Sequence, residues 1–145
     1  MMSKYNTVLV GMDGSEEAKT AFQTACESAK NHEAGLVIAH VIDTRTFATI
    51  EQYDRTIVSR AETQAKDMLA DYKQQAEEYG VSEVQTVIEF GSPKAKIPKD
   101  LAKSYNVDLI VTGATGLNKV ERILMGSVSE AITRHAQCDV LIVRS

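Results

Sequence analysis

Cysteine is scarce in the 145-residue chain: Cys26 and Cys138 are the only two. They stand too far apart in sequence, and outside any metal-ligand spacing, to suggest a disulfide framework or a zinc site. Long hydrophobic runs are missing as well. No stretch approaches the roughly 18 consecutive apolar residues of a membrane-spanning helix, and the N-terminus carries no apolar core of a secretory signal. The expectation is a soluble, cytoplasmic, unexported protein. Positive charge is in deficit, with 16 Lys and Arg against 20 Asp and Glu, a net charge of −4 and a pI near 5.4. No basic cluster supplies the field that nucleic acid or an anionic membrane needs, so any bound phosphate must be held by a few local groups. The chain also lacks a Walker loop ending in Gly-Lys-Ser/Thr and a Ser-Gly-Gly-x-Asp-Ser pyrophosphatase loop.

What is present suits one domain over residues 1–145, since 43% hydrophobic residues provide one core flanked by helices. The apolar run Asn6 to Met12 ends at Asp13-Gly14-Ser15 and is followed by Glu16 and Glu17, which reads as strand, tight turn, helix. That helix is expected from about Ser15 to Asn31, with Ala18, Ala21, Phe22, Ala25 and Ala29 on one face. Cys26 lies beside that face and reads as a buried, inert thiol. Gly35 to Asp43 is a second strand, apolar on both faces as in a parallel sheet covered by helices. His40, its one polar interior residue, is better explained by a local hydrogen bond than by metal binding or base catalysis. Residues 44–55 form a long connection whose Phe47 and Tyr53 either cover a ligand or pack at a rim.

Helical spacing returns with Ile57, Ala61, Ala65, Met68, Leu69, Tyr72, Ala76 and Tyr79, a stripe read as core contact, and stops at Gly80. Glu62, Lys66, Asp67, Asp71, Lys73 and Glu77 form the solvated face. Val84 to Glu89 alternates partially, as an edge strand does. After Gly91-Ser92-Pro93 comes a short helical stretch through Ile97 and Leu101 to about Tyr105. Pro98 leaves two readings: a helix from Pro93 that is kinked, or a turn with the helix starting at Pro98. Asp108 to Thr112 is a fourth strand and Cys138 to Arg144 a fifth. Strands alternating with helices predict a doubly wound parallel α/β sheet with helices on both faces.

The segment between the last two strands carries the chemistry. Thr112-Gly113-Ala114-Thr115-Gly116 follows a buried strand, and Gly126-Ser127-Val128-Ser129-Glu130 opens a helix. Glycines permit positive φ and close backbone approach, while a helix N-terminus offers free N–H groups and the positive dipole end to an anion. The plainer alternative makes Gly113 and Gly116 turn residues and Ser127 an N-cap, with Glu130 completing a capping box. Backbone N–H groups of Gly113 to Gly116 and of Ser127 to Ser129 can form a phosphate nest, with the hydroxyls of Ser127 and Ser129 as further donors. Lys119 or Arg122 is either the accompanying cation or a surface charge. Asp13 either accepts from a ribose hydroxyl and holds Mg²⁺ through water, or caps the first helix.

The complete spacing, Gly, two residues, Gly, nine residues, Gly-Ser, resembles the ATP-binding signature of the universal stress protein family. Val8 to Ser15, Ala39 to Asp43, Gly91-Ser92-Pro93, Val107 to Gly113 and Gly126 to Ser129 are similar to that family's blocks, so the resemblance runs nearly end to end. It implies a five-stranded sheet of order 3-2-1-4-5, similar to that of adenine nucleotide alpha hydrolases, in which the ends of strands one and four meet at the point where the winding reverses. It also implies adenine near Val41, ribose and metal-side contacts from Gly11 and Asp13, and phosphates on Gly113, Ala114, Thr115, Gly116, Leu117, Asn118 and Lys119 together with Gly126, Ser127, Val128 and Ser129. Gly11-Met12 departs from relatives that carry proline and a smaller residue.

The expected function is an ATP-binding regulatory module in stress response, using ATP and Mg²⁺ and read by a downstream protein. The alternatives are a slow ATPase or adenylyl-transferring enzyme, for which no catalytic residue stands out, and a nucleotide-free interaction module. Val140 to Val143 would leave a bare apolar edge, which predicts a homodimer through the C-terminal strand.

Overall fold

Strands that are apolar on both faces demand cover on both sides, and the computed structural model, which describes residues 5–43, 55–114 and 126–144, supplies it. In chain order the elements are β1 (Thr7–Gly11), α1 (Glu16–Asn31), β2 (Gly35–Asp43), α2 (Arg55–Tyr79), β3 (Val84–Gly91), α3 (Pro93–Ala95), a π-helical turn (Lys96–Leu101), α4 (Ala102–Ser104), β4 (Leu109–Gly113), α5 (Ser127–His135) and β5 (Asp139–Val143). The strands form one sheet in the order β3-β2-β1-β4-β5, as expected, and every pairing is parallel.

Side chains alternate across each strand, and the two sets build two cores. Val8, Val10, Met12, Leu36, Ile38, Leu109 and Val111 pack with α1 and α2 through Ala21, Phe22, Ala25, Leu69, Tyr72 and Ala76. Leu9, Val37, Ala39, Val41, Val87 and Ile110 face the other way, against Ile97 and Leu101 of the π turn and Ile132 of α5. Burying each such aliphatic side chain contributes about 1.5–3 kcal/mol. Cys26 lies in the first core, where burial pushes its thiol up to about 11, in keeping with an inert residue.

Several local expectations are refined. Helix α1 starts one residue late, because Ser15 is its N-cap and accepts from Ala18 N–H at 3.1 Å. Asp13 is therefore not the cap; its Oδ1 accepts instead from the N–H and hydroxyl of Ser15, at 2.9 and 2.6 Å. The two readings of Pro98 merge. The helix begins with Pro93 at its first turn and accommodates Pro98 by widening to a π turn, in which Ala102 N–H reaches back to Ile97 C=O. The missing N–H and ring bulk of an interior proline are tolerated where the turn is wider. Gly80, at φ 119°, does end α2, but Tyr79 is no core contact: it is 45% exposed, with Lys30 Nζ 5.3 Å from its ring centroid. Phe47 and Tyr53 of the long connection lie outside the described residues.

Candidate functional site

Parallel order brings the carboxyl ends of β1 and β4 side by side. Val10 pairs with Val111, the last pair of that ladder, so Gly11-Met12-Asp13 and Thr112-Gly113-Ala114 leave the sheet at the same end, with β2 next to β1 and β5 next to β4. Gly11 pairs with Ala39, which sets Val41, two residues further on, level with Asp13. Val41 is buried in the second core. The described residues thus bring Gly11, Asp13, Val41, Gly113 and Ala114 to one end of the sheet. Of the expected phosphate loop, Thr115, Gly116, Leu117, Asn118 and Lys119 lie outside the described residues, as does Arg122.

Both ends of that loop are anchored. Ala114 N–H donates to Val143 C=O at 2.9 Å, and Gly126 N–H donates to Ala114 C=O at 2.7 Å. The second bond draws the start of α5 onto the end of β4. Gly126 takes the N-cap position at φ −64° and ψ 158°, ordinary extended backbone, with no side chain to cap the helix. The expected capping box is therefore absent: Ser127 is the first helical residue rather than the cap, and Glu130 pairs with Arg134 at 2.8 Å instead. Ser127 is exposed and Ser129 buried. The Ser129 hydroxyl donates to the C=O of Gly113, the last residue of β4.

Gly113 does not use the positive φ that glycine permits. It is not among the positive-φ glycines, and a Cβ placed on it would lie 3.0 Å from Glu17 Cβ and 3.1 Å from Glu17 O. The glycine lets α1 pack directly on the end of β4. At Gly11 a Cβ would meet Ile97 Cδ1 at 3.1 Å, so this position too is kept small by a neighbouring helix.

One group at this end escaped the sequence reading. Glu17 is 6% exposed beside Gly113; in sequence it looked like one of two ordinary first-turn acids. His40 Nδ1 stands 2.5 Å from Met12 C=O. Because a carbonyl only accepts, Nδ1 carries the proton, and β2 thereby holds the β1–α1 turn. The local hydrogen bond expected for His40 is present, although its partner lies 28 residues away.

Electrostatically the two helix starts that flank the crevice differ. The N-terminus of α1 is already occupied by the Ser15 cap and by Glu16 and Glu17. That of α5 has a glycine cap, and the N–H groups of Ser127, Val128 and Ser129 have no intrahelical acceptor. An anion entering the crevice therefore meets one open positive end. Asp13 Oδ1 is held by Ser15, leaving Oδ2, and among the described residues no group of three or more His, Cys, Asp or Glu forms a metal cage. A carboxylate in this setting suits a Mg²⁺ ion that arrives largely coordinated by a ligand's own oxygens and water.

Comparison with known proteins agrees with the fold. The model of the universal stress protein family matches residues 4–144. A Staphylococcus haemolyticus protein named as a universal stress protein is 48% identical over 144 residues, spanning 99% of this chain and 87% of its own length. The structure of the universal stress protein UspA from Lactobacillus plantarum superposes with a TM-score of 0.86 at 32% identity, covering 98% of this chain and 99% of that one. A universal stress protein crystallised in complex with cAMP is similar at a TM-score of 0.73 and 27% identity, covering 98% of both chains. With a family match over almost the whole length, close sequence relatives and a common strand order, the chain belongs to the universal stress protein family.

Proposed function

We propose that the crevice between β1 and β4 binds an adenine nucleotide, ATP with Mg²⁺, and that the protein acts as a nucleotide-dependent regulatory module in stress response. The observation that carries the reading is the N-terminus of α5, which has no side-chain cap and is tied by Gly126 N–H to Ala114 C=O at the carboxyl end of β4, the strand next to β1. Phosphate oxygens would take the N–H groups of Ser127, Val128 and Ser129 and the exposed Ser127 hydroxyl, as well as the 115–119 segment. Adenine would sit toward Val41 and the ribose toward Gly11 and Asp13. Asp13 would help hold Mg²⁺, which would neutralise phosphate charge. The cAMP complex of the relative supports an adenine ligand and makes a cyclic nucleotide the natural competitor in any titration. The proposed assembly is a homodimer through β5, whose Val143 accepts from Ala114 at the base of the loop.

Calorimetric titration with ATP, AMP and cAMP, with and without Mg²⁺, tests the assignment. Its control is Ser127→Pro. Proline is well accepted at a first helical position, and Gly126 already has the extended backbone that a residue before proline adopts. The substitution removes one N–H and one hydroxyl while preserving the helix. The expected result is ATP binding about tenfold to a hundredfold weaker, for one or two lost charge-assisted hydrogen bonds, with the melting temperature nearly unchanged. Absence of saturable binding to a nucleotide-free wild-type sample would sink the assignment.

A further inference from the structure

The two serines of Gly126-Ser127-Val128-Ser129 look equivalent in sequence and are not equivalent in space. Ser127 is exposed at the crevice. Ser129 is 4% exposed, and its hydroxyl donates to the carbonyl of Gly113, the last residue of β4. A hydroxyl has a single proton. With that proton on Gly113, Ser129 has only lone pairs left to present, which cannot donate to a phosphate oxygen.

The bond belongs to a joint. On consecutive peptides, Gly113 C=O accepts from Ser129, Ala114 C=O accepts from Gly126 N–H at 2.7 Å, and Ala114 N–H donates to Val143 C=O at 2.9 Å. Each bond ties the end of β4 to a different position on α5 or β5. Ile132 holds the body of α5 in the second core, but at the N-terminal turn the Gly126 bond alone is a single point of attachment. The Ser129 bond, three residues further along the helix, supplies a second point and fixes the direction in which the first-turn N–H groups are aimed.

We infer that Ser129 is a positioning residue: it clamps α5 onto β4 and aims the helix N-terminus into the crevice, while Ser127 makes the side-chain contact with the anion. The inference rests on the nucleotide reading given above. It assigns different roles to two serines that stand two residues apart in sequence.

The test compares wild type, Ser129→Ala, Ser129→Thr and Ser127→Ala by amide hydrogen exchange without ligand and by titration with Mg-ATP. For Ser129→Ala the expected result is an about tenfold loss of protection at the Gly126 amide before any nucleotide is added, and an about tenfold loss of ATP affinity, the scale of one hydrogen bond. Ser129→Thr keeps the hydroxyl and restores both. Ser127→Ala weakens ATP binding and leaves Gly126 protection unchanged. If Ser129→Ala does not fold, Ser129→Cys carries the same comparison, since a thiol of similar size is a much weaker donor. The inference is overturned if Ser129→Ala lowers affinity with Gly126 protection intact, which marks a direct ligand contact. It is equally overturned if protection falls and affinity does not, which marks an ordinary core hydrogen bond. Wild-type protein that fails to bind ATP, with protection still lost in Ser129→Ala, defeats the nucleotide reading and the aiming role together, and leaves only the joint.

Discussion

A glycine can be required by its own backbone or by its neighbour, and the chain shows both cases within one crevice. Gly14 has φ 84° with open space where a Cβ would be, whereas Gly113 has ordinary backbone and the Glu17 main chain against it. The motif made Gly113 legible as important, but not this contact: sequence spacing cannot reveal that a helix beginning about a hundred residues earlier packs on it. Gly113→Ala should destabilise the fold by about 1–3 kcal/mol through overpacking, measured by urea denaturation. A second substitution of Glu17 should not rescue it, because the clash includes the backbone oxygen. Cys26 was legible as buried and inert, and its thiol gives a signed pH effect. Its pKa rises from an ordinary 9.0 to about 11 in the fold, so below pH 9 both states keep the proton and nothing is lost. Between pH 9 and 11 the unfolded chain ionises first and stability falls. The loss approaches about 2–3 kcal/mol for two pKa units. Denaturation of wild type and Cys26→Ala across pH 8–11 should show their stability difference shrinking by this amount; a difference that stays constant contradicts the assignment.

Elements were read well where periodicity was long and poorly where a single side chain set the boundary. The apolar strands and the stripe of α2 declared themselves because burial repeats every second residue, or every third and fourth. The π turn did not, since the sequence shows a proline in a helical pattern and leaves open whether the backbone kinks, breaks or widens. Hydrogen-bonded anchors between distant elements were equally hidden. Asp108, read simply as the start of a strand, accepts Asn6 N–H at 2.9 Å on one carboxylate oxygen and Thr7 N–H at 3.0 Å on the other, joining β4 to the entry of β1. Removing that carboxylate leaves two backbone donors without their partner. Asp108→Ala is therefore expected to lose about 1–3 kcal/mol and Asp108→Asn about half as much, because the amide retains one acceptor oxygen. Thermal melts of the three proteins should follow that order, and an equal loss in both variants would argue that charge rather than acceptor count matters.

At the scale of the molecule, alternation of strands with helices was enough to indicate a parallel sheet, whereas the strand order came from family resemblance, because no local pattern says which strands are neighbours. The observed order leaves two edges, β3 and β5. They are not alike. Gln85 and Thr86 of β3 are exposed polar residues, a common protection against pairing, while β5 reads Asp139-Val140-Leu141-Ile142-Val143, with Leu141 40% exposed. The proposed dimer would place two β5 strands together about a two-fold axis, pair their free N–H and C=O groups and cover Leu141. Val143 is a poor place to test this, since it packs against the first core and accepts from Ala114; a lysine there would disturb the fold and the loop base together. Leu141→Lys adds charge at an outward position. Light scattering is expected to find a dimer for wild type and a monomer for Leu141→Lys, with unchanged circular dichroism in both. A dimer mass that survives the substitution would rule out β5 as the interface and shift attention to β3, where Phe90 is the exposed apolar side chain.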